Sequence, residues 1–284
     1  MTRAVTLLAP AKINLALAVN GKRDDGYHEL RSVLATIDLA DRVRVASHRR
    51  LEVRIAPDVG APPGEDLASR AVRAMATATG RAPTAFVHIR KRVPVAAGLG
   101  GGSSDAGAVL RALASIWKRD DVDLVSLAAT IGSDVPFFAS GARVAFVTGR
   151  GERVEPLPDP AATHVVIVRS HARLATKDVF AELTMGDRGA AAAVDTLNAA
   201  FRRGTVTPQL LRDNARNDLL RPAERLCPAV ADARSRAAEH SIALALSGSG
   251  PTLFAIADDG HDALRMARIL RRLGLLAHAH TMAG

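Results

Sequence analysis

Between positions 98 and 102 four of the five residues are glycine, and two serines follow at once. Glycine loses more conformational freedom on folding than any other residue, so such a run belongs where the backbone must turn tightly or approach something closely. The residues after it, Ala106, Val109, Leu110, Leu113, Ile116 and Trp117, recur at helical spacing and form a buried stripe. The run therefore opens a helix. Glycines let the backbone turn its N–H groups inward, and the helix end adds partial positive charge, so a phosphate is a natural occupant. This is not a Walker A loop, because no lysine precedes the serines, nor G-x-G-x-x-G, because Ser103 holds the third glycine position. The plainer alternative is a tight turn capped by Ser103 or Ser104, which needs fewer glycines.

Around this turn the chain alternates strands and helices. Ile13, Leu15, Leu17 and Val19 share one face of an early strand, which sends Lys12 and Asn14 together to the other. Strands are expected at 27–38, 42–47, 51–55 and 84–90, with a helix over 67–78, another over 122–131 and a strand over 143–148. Three prolines within 156–160 mark a linker. Beyond it come strands at 164–169, 242–247, 252–257 and up to about 281, with helices near 176–183, 190–203, 229–240 and 261–273. The fold class is α+β, with an antiparallel sheet in the second half.

The chain has 284 residues and is 48% apolar, enough for real cores and too much for disorder. A net charge of +9 raises nucleic acid as a partner, but the arginines are scattered and aromatics make up only 3%, so neither a basic stripe nor a stacking platform is present. The single cysteine, Cys227, forms no intrachain disulfide and suits a reducing cytoplasm. No apolar stretch approaches the roughly 20 residues of a membrane helix. The histidines are dispersed, and His278 with His280 lacks a third ligand nearby, so no metal site is expected.

Locally, Asp134 between Gly132 and Pro136 reads as a helix cap. Lys12 is by default a solvent-facing strand lysine, although it is one of only five lysines. Tyr27, the sole tyrosine, and His28 follow the turn Asp24-Asp25-Gly26. Residues 248–252, Gly-Ser-Gly-Pro-Thr, form either a hairpin turn or a wall that lets another backbone or a phosphate come close.

Three motifs in sequence order make the chain resemble the GHMP kinases: residues 9–15 (Ala-Pro-Ala-Lys-Ile-Asn-Leu), residues 94–104, and residues 246–252 (Leu-Ser-Gly-Ser-Gly-Pro-Thr). Residues 25–30, 132–138 and 217–219 are similar to the branch of that superfamily whose acceptor is 4-diphosphocytidyl-2-C-methyl-D-erythritol, an isoprenoid precursor outside the mevalonate route. The resemblance implies an N-terminal α/β domain over 1–157 carrying the glycine loop, and a ferredoxin-like C-terminal domain over 158–284. It implies Lys12 and Asp134 as the catalytic pair. It implies ATP against Lys91, Pro94, Val95, Ala96, Ala97, Gly98, Leu99, Gly100, Gly101, Gly102, Ser103 and Ser104, and the cytidyl end of the acceptor against Asn14, Tyr27, His28 and Phe180. Mg²⁺ is expected with the ATP, and Ser104 is the nearest candidate to meet it. A cytoplasmic enzyme acting on a small molecule, with no nucleic-acid or membrane partner, follows; the oligomeric state stays open. A kinase of homoserine or mevalonate and a noncatalytic binding module are the alternatives.

Overall fold

The alternation around Lys12 extends in both directions. In the computed structural model, which describes residues 4–282 apart from 59, 61, 63 and 171, β1 (Ala4–Lys22) lies antiparallel to β2 (His28–Ala46) along its whole length. The two strands expected at 27–38 and 42–47 are thus one strand of 19 residues. Register shifts between Pro10 and Lys12, Asn14 and Ala16, and Val19 and Gly21 keep the long pair together by absorbing twist.

The first half continues with β3 (Glu52–Ala56), α1 (Leu67–Thr79), β4 (Phe86–Arg90), α2 (Gly101–Trp117), α3 (Leu124–Ala129), α4 (Val135–Ser140), β5 (Val144–Gly149) and β6 (Arg153–Pro156). Local chemistry sets the ends. The Asp66 carboxylate accepts the Ser69 N–H at 2.8 Å and starts α1. Asp123 accepts from Val125 and Ser126, which begins α3 two residues later than the apolar pattern suggests. The proline segment begins inside the fold: Pro156 closes the edge strand β6, where no ladder N–H is needed, and Leu157 is buried in the core.

The second half comprises β7 (Thr163–Arg169), α5 (Thr176–Ala181), a 3₁₀ turn (Met185–Asp187), α6 (Ala191–Arg203), α7 (Pro208–Asn214), α8 (Leu220–Leu226), α9 (Pro228–Ala238), β8 (Ala245–Leu246), β9 (Leu253–Ala257), α10 (Gly260–Arg272) and β10 (Leu276–Met282). Helices α7 and α8 span seven residues each, too short for apolar periodicity to reveal. The strand expected over 242–247 pairs with β9 only at Ala245 and Leu246, because the chain then turns toward the glycine run.

Strand β2 is the spine. One edge holds β1; along the other lie β5 at Leu30 to Ala35, the end of β10 at Ile37, and β4 at Arg42 to Ala46. The C-terminal strands run β10-β7-β9-β8, all antiparallel, which is the 4-1-3-2 order of a ferredoxin-like sheet. Both faces of this sheet are covered. Val165, Ile167, Phe254 and Ile256 pack into a core shared with Ile13, Leu15 and Val33 of the first half, while Val166, Val168, Leu253 and Ala255 face α8, α9 and α10. That explains why residues 165–168 read as a continuous apolar run. No helix among the described residues is long and apolar enough to cross a membrane.

Candidate active site

A cleft of about 990 Å³ runs between the halves, lined by β1, β2, the glycine run, the turn before α4, α5 and the 248–249 loop. Lys12 and Asn14 reach it from the same face of β1, as their spacing predicts. The Lys12 Nζ donates to Asn14 Oδ1 at 2.6 Å, Asn14 Nδ2 to Ser32 Oγ at 2.9 Å, and Ser32 Oγ to the Ala16 carbonyl at 2.6 Å. The chain of bonds fixes a buried ammonium, whose other neighbour is Asp134 Oδ2 at 3.7 Å. Asp134 precedes α4 but makes no capping hydrogen bond through its side chain. Its carboxylate faces the cleft instead, half-exposed and opposite Lys12.

The glycine run does two jobs. Gly100, at φ +70°, is the cap residue of α2 and offers no side chain; neither serine caps the helix. The first N–H groups of α2, at residues 101–103, therefore have no intrahelical partner, and these residues line the cleft. Gly98, at φ +74°, lies against the second small-residue loop, where a Cβ would stand 2.4 Å from the Ser247 carbonyl. Ser247 Oγ donates to the Gly98 carbonyl at 3.0 Å, and Asn217 Nδ2 donates to both the Leu246 and Gly248 carbonyls at 2.9 Å. The 248–252 loop is thus a wall that another backbone approaches.

Of the other residues expected around the nucleotide, Pro94, Val95, Ala96 and Ala97 line the cleft. The Leu99 side chain does not: it is fully buried in the shared core, and only its carbonyl contributes, accepting the Lys12 backbone N–H at 2.9 Å. Ser104 is buried behind the cleft wall, its Oγ without a partner. Lys91 is at the cleft but already engaged. Its Nζ bonds Asp41 Oδ2 at 2.5 Å and Asp105 Oδ2 at 2.6 Å, a buried pairing that the sequence reading missed. The one available signal was an aspartate immediately after the serines.

In this triad one cation meets two carboxylates. Burial opposes the Lys91 charge, but Asp105 and Asp41 outweigh it and raise its pKa. Burial pushes the Asp105 pKa up to about 7, against the pull of Lys91 and with repulsion from Asp41 added. A carboxyl whose folded pKa exceeds its unfolded value, about 3.9, binds its proton longer in the folded state. Its contribution to stability is complete below that lower value and is lost as pH rises through about 7. Asp105→Asn keeps the shape of the neutral form. Its melting temperature relative to the original chain is expected to rise progressively between pH 5 and about 8 in a fluorimetric melt; a difference independent of pH would contradict the burial argument.

Tyr27, half-exposed, His28 and Phe180 also line the cleft. Phe180 stacks on the His28 imidazole, centroids 4.8 Å apart, rather than standing free. Burial first, then Lys22 and Arg188, lower the His28 pKa. The ring is therefore neutral at pH 7, with one nitrogen to donate and one to accept. Among the described residues no group of three His, Cys, Asp or Glu side chains could hold a metal ion.

Comparison with known proteins gives the family and the fold. The family model described as the GHMP kinases N terminal domain matches residues 66–142, and that of the GHMP kinases C terminal matches residues 198–274. A 4-diphosphocytidyl-2-C-methyl-D-erythritol kinase from Salinispora tropica is 40% identical over 298 aligned positions, covering 99% of this chain and 92% of the relative. A crystal structure of a 4-(cytidine 5'-diphospho)-2C-methyl-D-erythritol kinase superposes with a TM-score of 0.79 at 36% identity, over 99% of this chain and all of the other. The homoserine kinase of Cytophaga hutchinsonii shares the fold alone, at TM-score 0.74 and 18% identity over 99% of this chain and 94% of that one.

Proposed function

We propose, for a chain that belongs to the GHMP kinases and within them to the 4-diphosphocytidyl-2-C-methyl-D-erythritol kinases, that it moves the γ-phosphoryl group of ATP to the 2-hydroxyl of that cytidyl acceptor, giving the 2-phosphate and ADP. The observation that carries the reading is the Lys12–Asp134 pair, 3.7 Å apart, in one cleft with a helix terminus whose N–H groups have no intrahelical partner and with Tyr27, His28 and Phe180.

Phosphoryl transfer asks the protein for positioning and charge neutralisation more than for covalent chemistry. The N–H groups of residues 101–103 take the phosphates of ATP, and Lys12 neutralises charge on the transferring group. Asp134 accepts the proton of the acceptor hydroxyl as that oxygen attacks. Asn14 and Ser32 hold the ammonium in place. Tyr27 stacks on the cytosine, His28 reads its polar edge with a neutral ring, and Phe180 moves off His28 to cover the other face. ATP brings Mg²⁺ held by phosphate oxygens and water, as that ion commonly is. The protein's unpartnered buried oxygens at the start of α2, Ser104 Oγ and Asp105 Oδ1, are the groups that would be available to such an ion, while Asp105 Oδ2 is held by Lys91.

An assay that couples ADP release to NADH oxidation tests the reading across acceptors. Turnover is expected with the cytidyl diphosphate acceptor and only background with homoserine or mevalonate. Turnover confined to either of those two would overturn it.

A further inference from the structure

We propose that Arg150 binds the diphosphate that joins base to sugar in the acceptor, a role that rests on the acceptor reading above. Arg150 sits in the turn between β5 and β6 and lines the cleft. Two contacts hold it. Its Nη2 donates to the Ala129 carbonyl at the end of α3, 2.9 Å away, and its Cζ stands 5.1 Å from the centroid of the Tyr27 ring.

No carboxylate pairs with the guanidinium, although Asp25 lies near enough to feel its charge and the Glu152 carboxylate accepts the Arg150 backbone N–H at 2.6 Å. Asp25 and Glu29 are bound by Arg23, Asp134 faces Lys12, and among the described residues none comes within 4 Å of the Arg150 guanidinium. A guanidinium has five N–H donors in a flat fork, and the Ala129 carbonyl takes one. Several remain for an anion, in the geometry that matches phosphate oxygens. Lys22 and Lys177 also line the cleft, but only Arg150 is both hydrogen-bonded and laid on an aromatic ring, so less order is lost when it binds.

Its position supplies the second argument. The next residue, Gly151, packs so closely on the turn before α4 that a Cβ there would stand 3.3 Å from the Ser133 carbonyl. Tyr27, Arg150, Gly151, Ser133 and Asp134 thus follow one another along the cleft wall. An acceptor with its base on Tyr27 and its hydroxyl at Asp134 must carry its connecting group past Arg150. In this chemistry that group is a diphosphate.

The test is calorimetric binding of cytidine and of CDP, with the nucleotide site filled by a non-hydrolysable ATP analogue. Arg150→Gln can still donate to the Ala129 carbonyl but has no charge, and a melt confirms that it folds. CDP should bind the original chain more tightly than cytidine does. Arg150→Gln should weaken CDP by about tenfold or more, the scale of a charge-assisted hydrogen bond, with cytidine little changed. Arg150→Lys should recover part of the loss. Equal weakening of both ligands would mean that Arg150 only braces Tyr27, and unchanged CDP binding would remove it from the subsite; either overturns the proposal while leaving the acceptor reading intact. An original chain that binds neither probe and does not turn over the cytidyl acceptor would overturn both together.

Discussion

Asp134→Asn is expected to lower kcat by at least about 10²-fold, the usual scale of a general base, and to leave the melting temperature nearly unchanged. Both halves of the expectation come from the same geometry. The Asp134 side chain caps no helix, is 39% exposed, and meets one charged partner, Lys12, at 3.7 Å. Little of the fold depends on it, and exposed substitutions of this kind usually shift stability by less than about 0.5 kcal/mol. Asparagine preserves the size of the side chain and removes the proton acceptor. Steady-state kinetics on the folded variant decide the matter. A variant that melts several degrees lower yet turns over normally would return Asp134 to the role of helix cap. The same experiment on Lys12 is less clean, because its ammonium anchors the buried series through Asn14 and Ser32 to the Ala16 carbonyl. Removing it would leave polar groups unsatisfied in the interior, at a cost of about 1–3 kcal/mol each.

What the sequence made legible follows from how local each signal is. The helix opened by the glycine run, the shared face of Lys12 and Asn14, and the α+β class rest on short-range periodicity, and the structure has all three. Seven-residue helices carry too few apolar positions to be seen, although Thr207-Pro208 was a fair start signal: the Thr207 hydroxyl accepts the Leu210 N–H at 3.2 Å. Long-range events were invisible. Nothing near Asp41 in the sequence says that it will meet Lys91, 50 residues away, and nothing near Gly98 says that Ser247 will lie on it. The pairing of Lys12 with Asp134 came only through resemblance to other kinases. The local pattern around Asp134 pointed to a cap, because Gly-Ser-Asp-Val-Pro has the composition of one.

Two glycines of the same run should fail differently when given a methyl group. Gly98→Ala is expected to destabilise the protein by a few kcal/mol. Its φ of +74° alone costs an L-residue roughly 1–2 kcal/mol. The new Cβ would also lie 2.4 Å from the Ser247 carbonyl and 3.0 Å from that of Gly250, and neither is a flexible side-chain end that can step aside. The two loops must part, and the bond from Ser247 Oγ to the Gly98 carbonyl parts with them. Activity should fall with stability, since both loops line the cleft. Gly102→Ala is the counterpart. Its φ is not in the left-handed region, it stands in the first turn of α2, and a Cβ there meets only Leu67 Cδ1, at an ordinary 3.6 Å. Alanine is the better helix former by about 1 kcal/mol in a helix interior, so this variant should melt no lower than the original. Gly102 is nonetheless exposed in the cleft beside the free N–H groups, and a methyl at that point crowds the place assigned to the phosphates. The KM for ATP should rise while the KM for the acceptor stays put. A Gly102→Ala enzyme with unaltered ATP kinetics would move the phosphates away from the start of α2, and a Gly98→Ala protein that melts normally would show that the two loops do not bear on each other in solution.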